Sequence, residues 1–163
     1  MTPAALCLLV VVPRTWSADW LWGIALIVLT VVIHVFGLGL VNRRIVYVSS
    51  GVKEHRHPTA IFVLVMGTTT LWVTVLHGIE GALWALTYRL VGALPGARSA
   101  ILYSLNAMTS YGHENLFLEP EWQLLGALEA LNGWLLFGLT TAFLFGAIDK
   151  LRSLRSKELH RAH

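Results

Sequence analysis

Residues 99–122 read SAILYSLNAMTSYGHENLFLEPEW, and the reading of this stretch decides the fold. From Ala100 to Thr109 the residues are apolar or small and suit a short helix of about ten residues starting near Ser99. The next residues, SYGHENL, are polar and contain Gly112. A bilayer core needs about 20 consecutive apolar residues, so this stretch does not cross. On either side, however, lie runs that do. One is apolar from Thr59 to about Leu94, where Pro95-Gly96 breaks it, and the other runs from Trp122 to Ile148 and stops at Asp149-Lys150. A short helix followed by non-helical backbone is tolerated at membrane depth only where protein buries it or water lines it. The order span, re-entrant helix, extended loop, span is that of a pore, in which backbone carbonyls replace an ion's hydration shell.

Working outward, a further span covers about residues 20–41 and ends at Asn42-Arg43-Arg44, with His34 as its ionisable residue. Residues 4–12 are apolar, too short to span, and without the basic flank of a signal peptide, so an interfacial segment is expected. The composition agrees with three spans. Of 163 residues, 56% are hydrophobic and 13% charged, against about 25% charged in a soluble domain. Basic residues set the orientation. Arg43, Arg44, Lys53 and Arg56 follow the first span, and Lys150, Arg152, Arg155, Lys157 and Arg161 follow the last; together they are nine of the twelve Lys and Arg. Basic flanks stay cytoplasmic, which places the N-terminus and residues 95–121 outside and the C-terminus inside. The expected organisation is residues 1–58 with the first span and a basic loop, a pore module over 59–150, and a basic tail over 151–163. The tail is expected to form at most a short amphipathic helix on anionic headgroups.

Other classes find little support. No phosphate-binding glycine loop, zinc-protease spacing or nucleophile elbow occurs, and no span carries the repeated arginines of a voltage sensor. One cysteine, Cys7, excludes an intrachain disulfide and a cysteine-based metal cage. The net charge of +3 arises from span-flanking residues rather than a nucleic-acid face. Neither an enzyme, a cofactor, a nucleic acid nor a soluble substrate is expected.

Leu102-Tyr103-Ser104-Leu105, Met108-Thr109-Ser110, Pro120-Glu121-Trp122 and the run LLGALEALNGWLLFGLTTAFLF over 124–145 resemble the two-helix pore module of the tetrameric potassium channels, in particular its small bacterial members. The resemblance covers about residues 77–150. It implies an all-α integral membrane protein of three transmembrane helices plus a pore helix and filter loop, assembled as a homotetramer in a bacterial plasma membrane. By it, residues 59–94 form the outer helix, 99–109 the pore helix, 109–115 the filter and 121–148 the inner helix. Counted back from Pro120, Thr109 and Ser110 fall on the family's paired threonines and Tyr111 on a variable position. Gly112-His113-Glu114-Asn115 then replaces Gly-Tyr-Gly-Asp. A second register sets Tyr111-Gly112 on Tyr-Gly and needs an insertion afterwards. Where the family has its second glycine, Glu114 carries a Cβ, which disfavours positive φ by about 1 kcal/mol or more. The outer half of the carbonyl ladder is therefore not expected. Four copies would instead present rings of Glu114 carboxylates and His113 imidazoles, and acidic rings select cations. The resemblance thus implies a weakly potassium-selective filter for monovalent or divalent cations. A non-conducting pore-fold subunit is the alternative.

Within the spans, His77 and Glu80 share a helix face at i and i+3, as do Glu129 and Asn132. Intramembrane ionisable groups are costly and face bundle interiors or water. Two readings stay open for them: a metal or proton-relay site joining His77, Glu80 and Glu129, or hydrogen bonds that anchor the pore helix. His34 fits an interhelical contact. Gly133 and Gly138 permit inner-helix bending or close packing, and Thr140 and Thr141 could offer hydroxyls to a hydrated ion. Trp20, Trp22, Trp84, Tyr88 and Trp122 fit an aromatic belt.

Overall fold

The computed structural model describes residues 3–51, 58–112 and 115–161, with side chains described over 16–45, 59–112 and 115–153. Among them the chain is helical and contains no strand. The elements are α1 (Pro3–Gly51), α2 (Pro58–Leu90), α3 (Ala97–Met108), a 3-10 turn at Pro120–Trp122, and α4 (Gln123–Arg161). Three stretches are long and apolar enough to cross a bilayer: Trp16–Ile45, Thr59–Leu90 and Pro120–Ser153.

Several boundaries differ from those expected. α1 takes in residues 4–12 and runs past Asn42-Arg43-Arg44 to Gly51, because no proline or glycine interrupts residues 42–50. Charge ends an apolar run without ending a helix. For the same reason α4 continues through Asp149-Lys150 to Arg161, so the tail extends the last span rather than forming a separate element. α2 stops at Leu90, not Leu94. Gly92 takes φ +77°, its N–H bonds the Arg89 carbonyl, and the Ala93 N–H bonds the Tyr88 carbonyl at 2.9 Å. That is a Schellman cap, which a glycine in the left-handed region closes. Pro95 therefore precedes α3 rather than ending α2, and α3 starts two residues before Ser99, with Gly96 as N-cap. Pro120, with φ already suited to a first helical turn, opens the 3-10 turn into α4.

The described residues form two compact units, Met1–Val32 with Gly78–Leu135, and Ile33–His77 with Leu136–His163. In the first, Leu26, Trp84, Tyr88, Tyr103, Leu125 and Leu128 belong to one buried cluster. Trp84 and Tyr88 are 0% exposed, which corrects their expected place in a lipid-facing belt. Tyr88 meets Tyr103 edge-on, with ring centroids 5.2 Å apart, a favoured aromatic geometry. Trp20 and Trp22 do lie exposed. α3 runs back along its neighbours. Ser104 reaches Gly81, nine residues before the end of α2, and Met108 lies against Gly133, ten residues into α4. At 1.5 Å per residue these are about 14 and about 15 Å of helix.

In the second unit, Val41, Ile45, Val65 and Ala147 pack together. Leu64, Leu71 and Phe145 of that unit stay exposed, as apolar side chains do when the surrounding solvent is lipid.

Candidate functional site

The end of α3 is where the chain departs from regular structure. Thr109 closes the helix with right-handed backbone and donates its hydroxyl to the Leu105 carbonyl at 2.7 Å. Ser110 then takes φ +54°. Its N–H bonds the Ala107 carbonyl at 3.0 Å, and the Tyr111 N–H bonds the Asn106 carbonyl at 3.1 Å. This is a second Schellman cap, here with a Cβ-bearing residue in the left-handed position, at a cost of about 1–2 kcal/mol. Gly112 follows at φ +90°. Thr109, Ser110, Tyr111, Gly112 and Asn115 are exposed, Tyr111 by 87%. The expected filter residues His113 and Glu114 lie outside the described residues.

α4 fixes this end of α3 at two successive positions. A Cβ on Gly133 would collide with the carbonyl, C and Cα of Met108, so only glycine lets the two backbones come this close. Of the two roles open to Gly133, close packing is the one this contact displays. Next to it, the Trp134 indole N–H donates to Ser110 Oγ at 2.9 Å.

Behind α3 lies a buried polar set. Tyr88 donates to Glu129 Oε2 at 2.6 Å. Ser104 Oγ pairs with Glu129 Oε1 and also lies 2.7 Å from the Gly81 carbonyl, so its one hydrogen serves one of two acceptors. Glu129 of α4 thereby ties α2 to α3. One turn along α4, the Asn132 amide donates to Thr30 Oγ1 of α1 at 2.9 Å. These groups are buried, which makes satisfied hydrogen bonds obligatory. Glu80 is also buried in this unit. So is Asp19, whose Oδ1 finds no hydrogen-bond partner among the described residues.

In the second unit, His34 Nε2 lies 3.0 Å from Thr140 Oγ1, and His77 Nε2 lies 3.3 Å from the same oxygen. The two imidazole centroids are 5.1 Å apart. Thr140 is thus buried on the histidines, whereas Thr141 is exposed and donates to the Phe137 carbonyl at 2.9 Å. Gly138 has open space around it.

The structure therefore brings Glu129 together with Tyr88 and Ser104, and His77 together with His34 and Thr140. Tyr88, Ser104 and Trp134 were missed as site residues. A tyrosine or tryptophan near a span end reads as an interfacial anchor, and Ser104 gives no local sign of a carboxylate 25 positions away. No protein-family model, no curated protein and no solved structure matches this chain.

Proposed function

We propose that the chain is the pore-forming subunit of a homotetrameric cation channel whose filter is built from residues 109–115. One observation carries this reading: α3 ends against Gly133, about 15 Å along α4, half the thickness of a bilayer core of about 30 Å. Non-helical backbone at that depth needs burial in protein or water around it. In one chain, residues 109–112 are exposed, so copies of the chain or a water-filled path must cover them. Four copies around an axis supply both. The potassium-channel resemblance of the sequence supports the same arrangement, with residues 95–121 facing outside and the basic flanks in the cytoplasm of a bacterial cell.

Under this reading the mechanism is passive. A cation sheds water at a ring formed by residues 109–115, and four copies of Glu114 repel one another unless a cation sits between them. Glycine is lacking where the potassium filter needs it, so the filter passes potassium, sodium and divalent ions with little discrimination. Glu129, through Ser104 and Tyr88, acts as a positioning residue that holds α3 in place.

Purified protein in liposomes tests this. Native mass measurement is expected to give a tetramer, and radiotracer flux is expected for several cations and to fall in Glu114→Gln. A reversal potential that follows the potassium gradient alone would overturn the weak selectivity. No flux of any cation would leave a non-conducting pore-fold subunit as the better reading.

A further inference from the structure

We propose that the second unit holds an anionic membrane lipid in a cavity between α1 and α2, a site separate from the filter. The cavity measures about 490 Å³ and is lined by Leu40, Ile45, Val65 and Trp72 together with Arg43 and Arg44. Its volume lies within the range of about 300–1,000 Å³ typical of small-molecule sites. The Thr68 and Thr69 hydroxyls that also border it donate to carbonyls of their own helix, at 2.9 Å to Leu64 and 2.7 Å to Val65. The lining is therefore apolar apart from the two arginines and two hydroxyls whose hydrogens are already used.

The two kinds of lining side chain select the ligand. Arg43 and Arg44 stand where the apolar run of α1 ends, at the level a headgroup occupies when α1 crosses the bilayer. Both arginines are exposed, and among the described residues that line the cavity none is acidic. Guanidinium groups bind phosphate through paired, charge-assisted hydrogen bonds. Leu40, Ile45 and Val65 offer a chain-binding wall to the same molecule. Trp72, whose amphipathic ring suits the interface, completes it. A free phosphate would use the arginines and leave the apolar wall idle, whereas a phospholipid of net negative charge uses both. The shared chemistry is a phosphate group, and the proposed source is phosphatidylglycerol or a lipid of its class.

Full-length protein in neutral detergent is titrated with phosphatidylglycerol, with phosphatidylcholine of the same chains, and with inorganic phosphate. Bound lipid is read by native mass spectrometry and by melting temperature. Two basic side chains at a membrane surface give a preference of about 30-fold for the anionic lipid. Arg43→Gln and Arg44→Gln are each expected to remove about fivefold of it, and the double variant all of it. Arg98→Gln, a change in the other unit, retains it. A melting temperature in phosphatidylcholine equal to that of the parent shows that the variants fold, and the single variants decide if the double one does not. Equal binding of both lipids, or a preference that survives the double substitution, overturns the proposal. So does displacement of phosphatidylglycerol by inorganic phosphate at comparable concentration, which would make this a free-anion site.

Discussion

Gly133→Ala and Gly138→Ala make the same chemical change five residues apart in α4, and the structure gives them opposite signs. At Gly138 nothing lies within 4 Å of an added Cβ. There the substitution gains only the helix-propensity difference, about 0.5–1 kcal/mol. At Gly133 the added Cβ meets the backbone of Met108, which has no rotamer to move aside. Overpacking costs about 1–3 kcal/mol, and a backbone neighbour puts the cost at the upper end. Less the propensity gain, a net loss of about 2 kcal/mol remains. Since 1 kcal/mol moves the midpoint of a chain this size by about 2–4 °C, Gly133→Ala is expected to melt about 4–8 °C lower than the parent. Gly138→Ala is expected to melt about 1–4 °C higher. Thermal unfolding in detergent reads both. Because the collision displaces the end of α3, Gly133→Ala also lowers cation flux at temperatures where the protein is folded. A Gly133→Ala protein as stable as Gly138→Ala would refute the close approach of α3 to α4 and the filter depth inferred from it.

Glu129→Gln keeps an acceptor for Tyr88 and a donor for Ser104, so its stability is expected within about 1 kcal/mol of the parent; Glu129→Leu orphans the buried Tyr88 hydroxyl and costs about 1–3 kcal/mol, read from the same melts. A double-mutant cycle on Thr30→Val and Asn132→Leu is expected to give a coupling of about 0.6 kcal/mol, and no more than about 1.7, the range of interhelical hydrogen bonds in membranes. Gly92→Ala meets no atom within 4 Å but must hold φ +77°, so a loss of about 1–2 kcal/mol is expected from backbone conformation alone; an unchanged melt would contradict the cap.

What the sequence makes legible, and what it hides, follows from range. Three spans are plain because each apolar run exceeds what a bilayer needs, and α3 is plain because Pro95-Gly96 and Gly112 bracket a short apolar stretch. Helix ends are less so: Arg43-Arg44 and Asp149-Lys150 mark where lipid exposure stops, but a charged residue continues a helix without strain, and α1 and α4 both do. The end of α2, at Leu90 and four residues inside the expected limit, depends on Gly92, because a left-handed cap stops the helix before proline can. Burial is hidden most. Trp84 and Tyr88 look like interface anchors in one dimension, and only their packing in one cluster with side chains of α1, α3 and α4 buries them. Likewise Glu129 is conspicuous as a carboxylate inside a span, while its partners Tyr88 and Ser104 come from distant segments that packing alone unites. The left-handed turn at Ser110 carries no glycine to announce it.

The central claim is that the segment after α3 surrounds a shared cation path. Ser110→Cys, made in a Cys7→Ala background so that it is the chain's single thiol, tests it in one measurement: cation flux into liposomes with and without cadmium, a soft ion that thiolates bind. If four copies of residue 110 ring the path, micromolar cadmium stops flux through the variant and spares the Cys7→Ala parent. Flux through the variant that continues unchanged in cadmium would contradict the account.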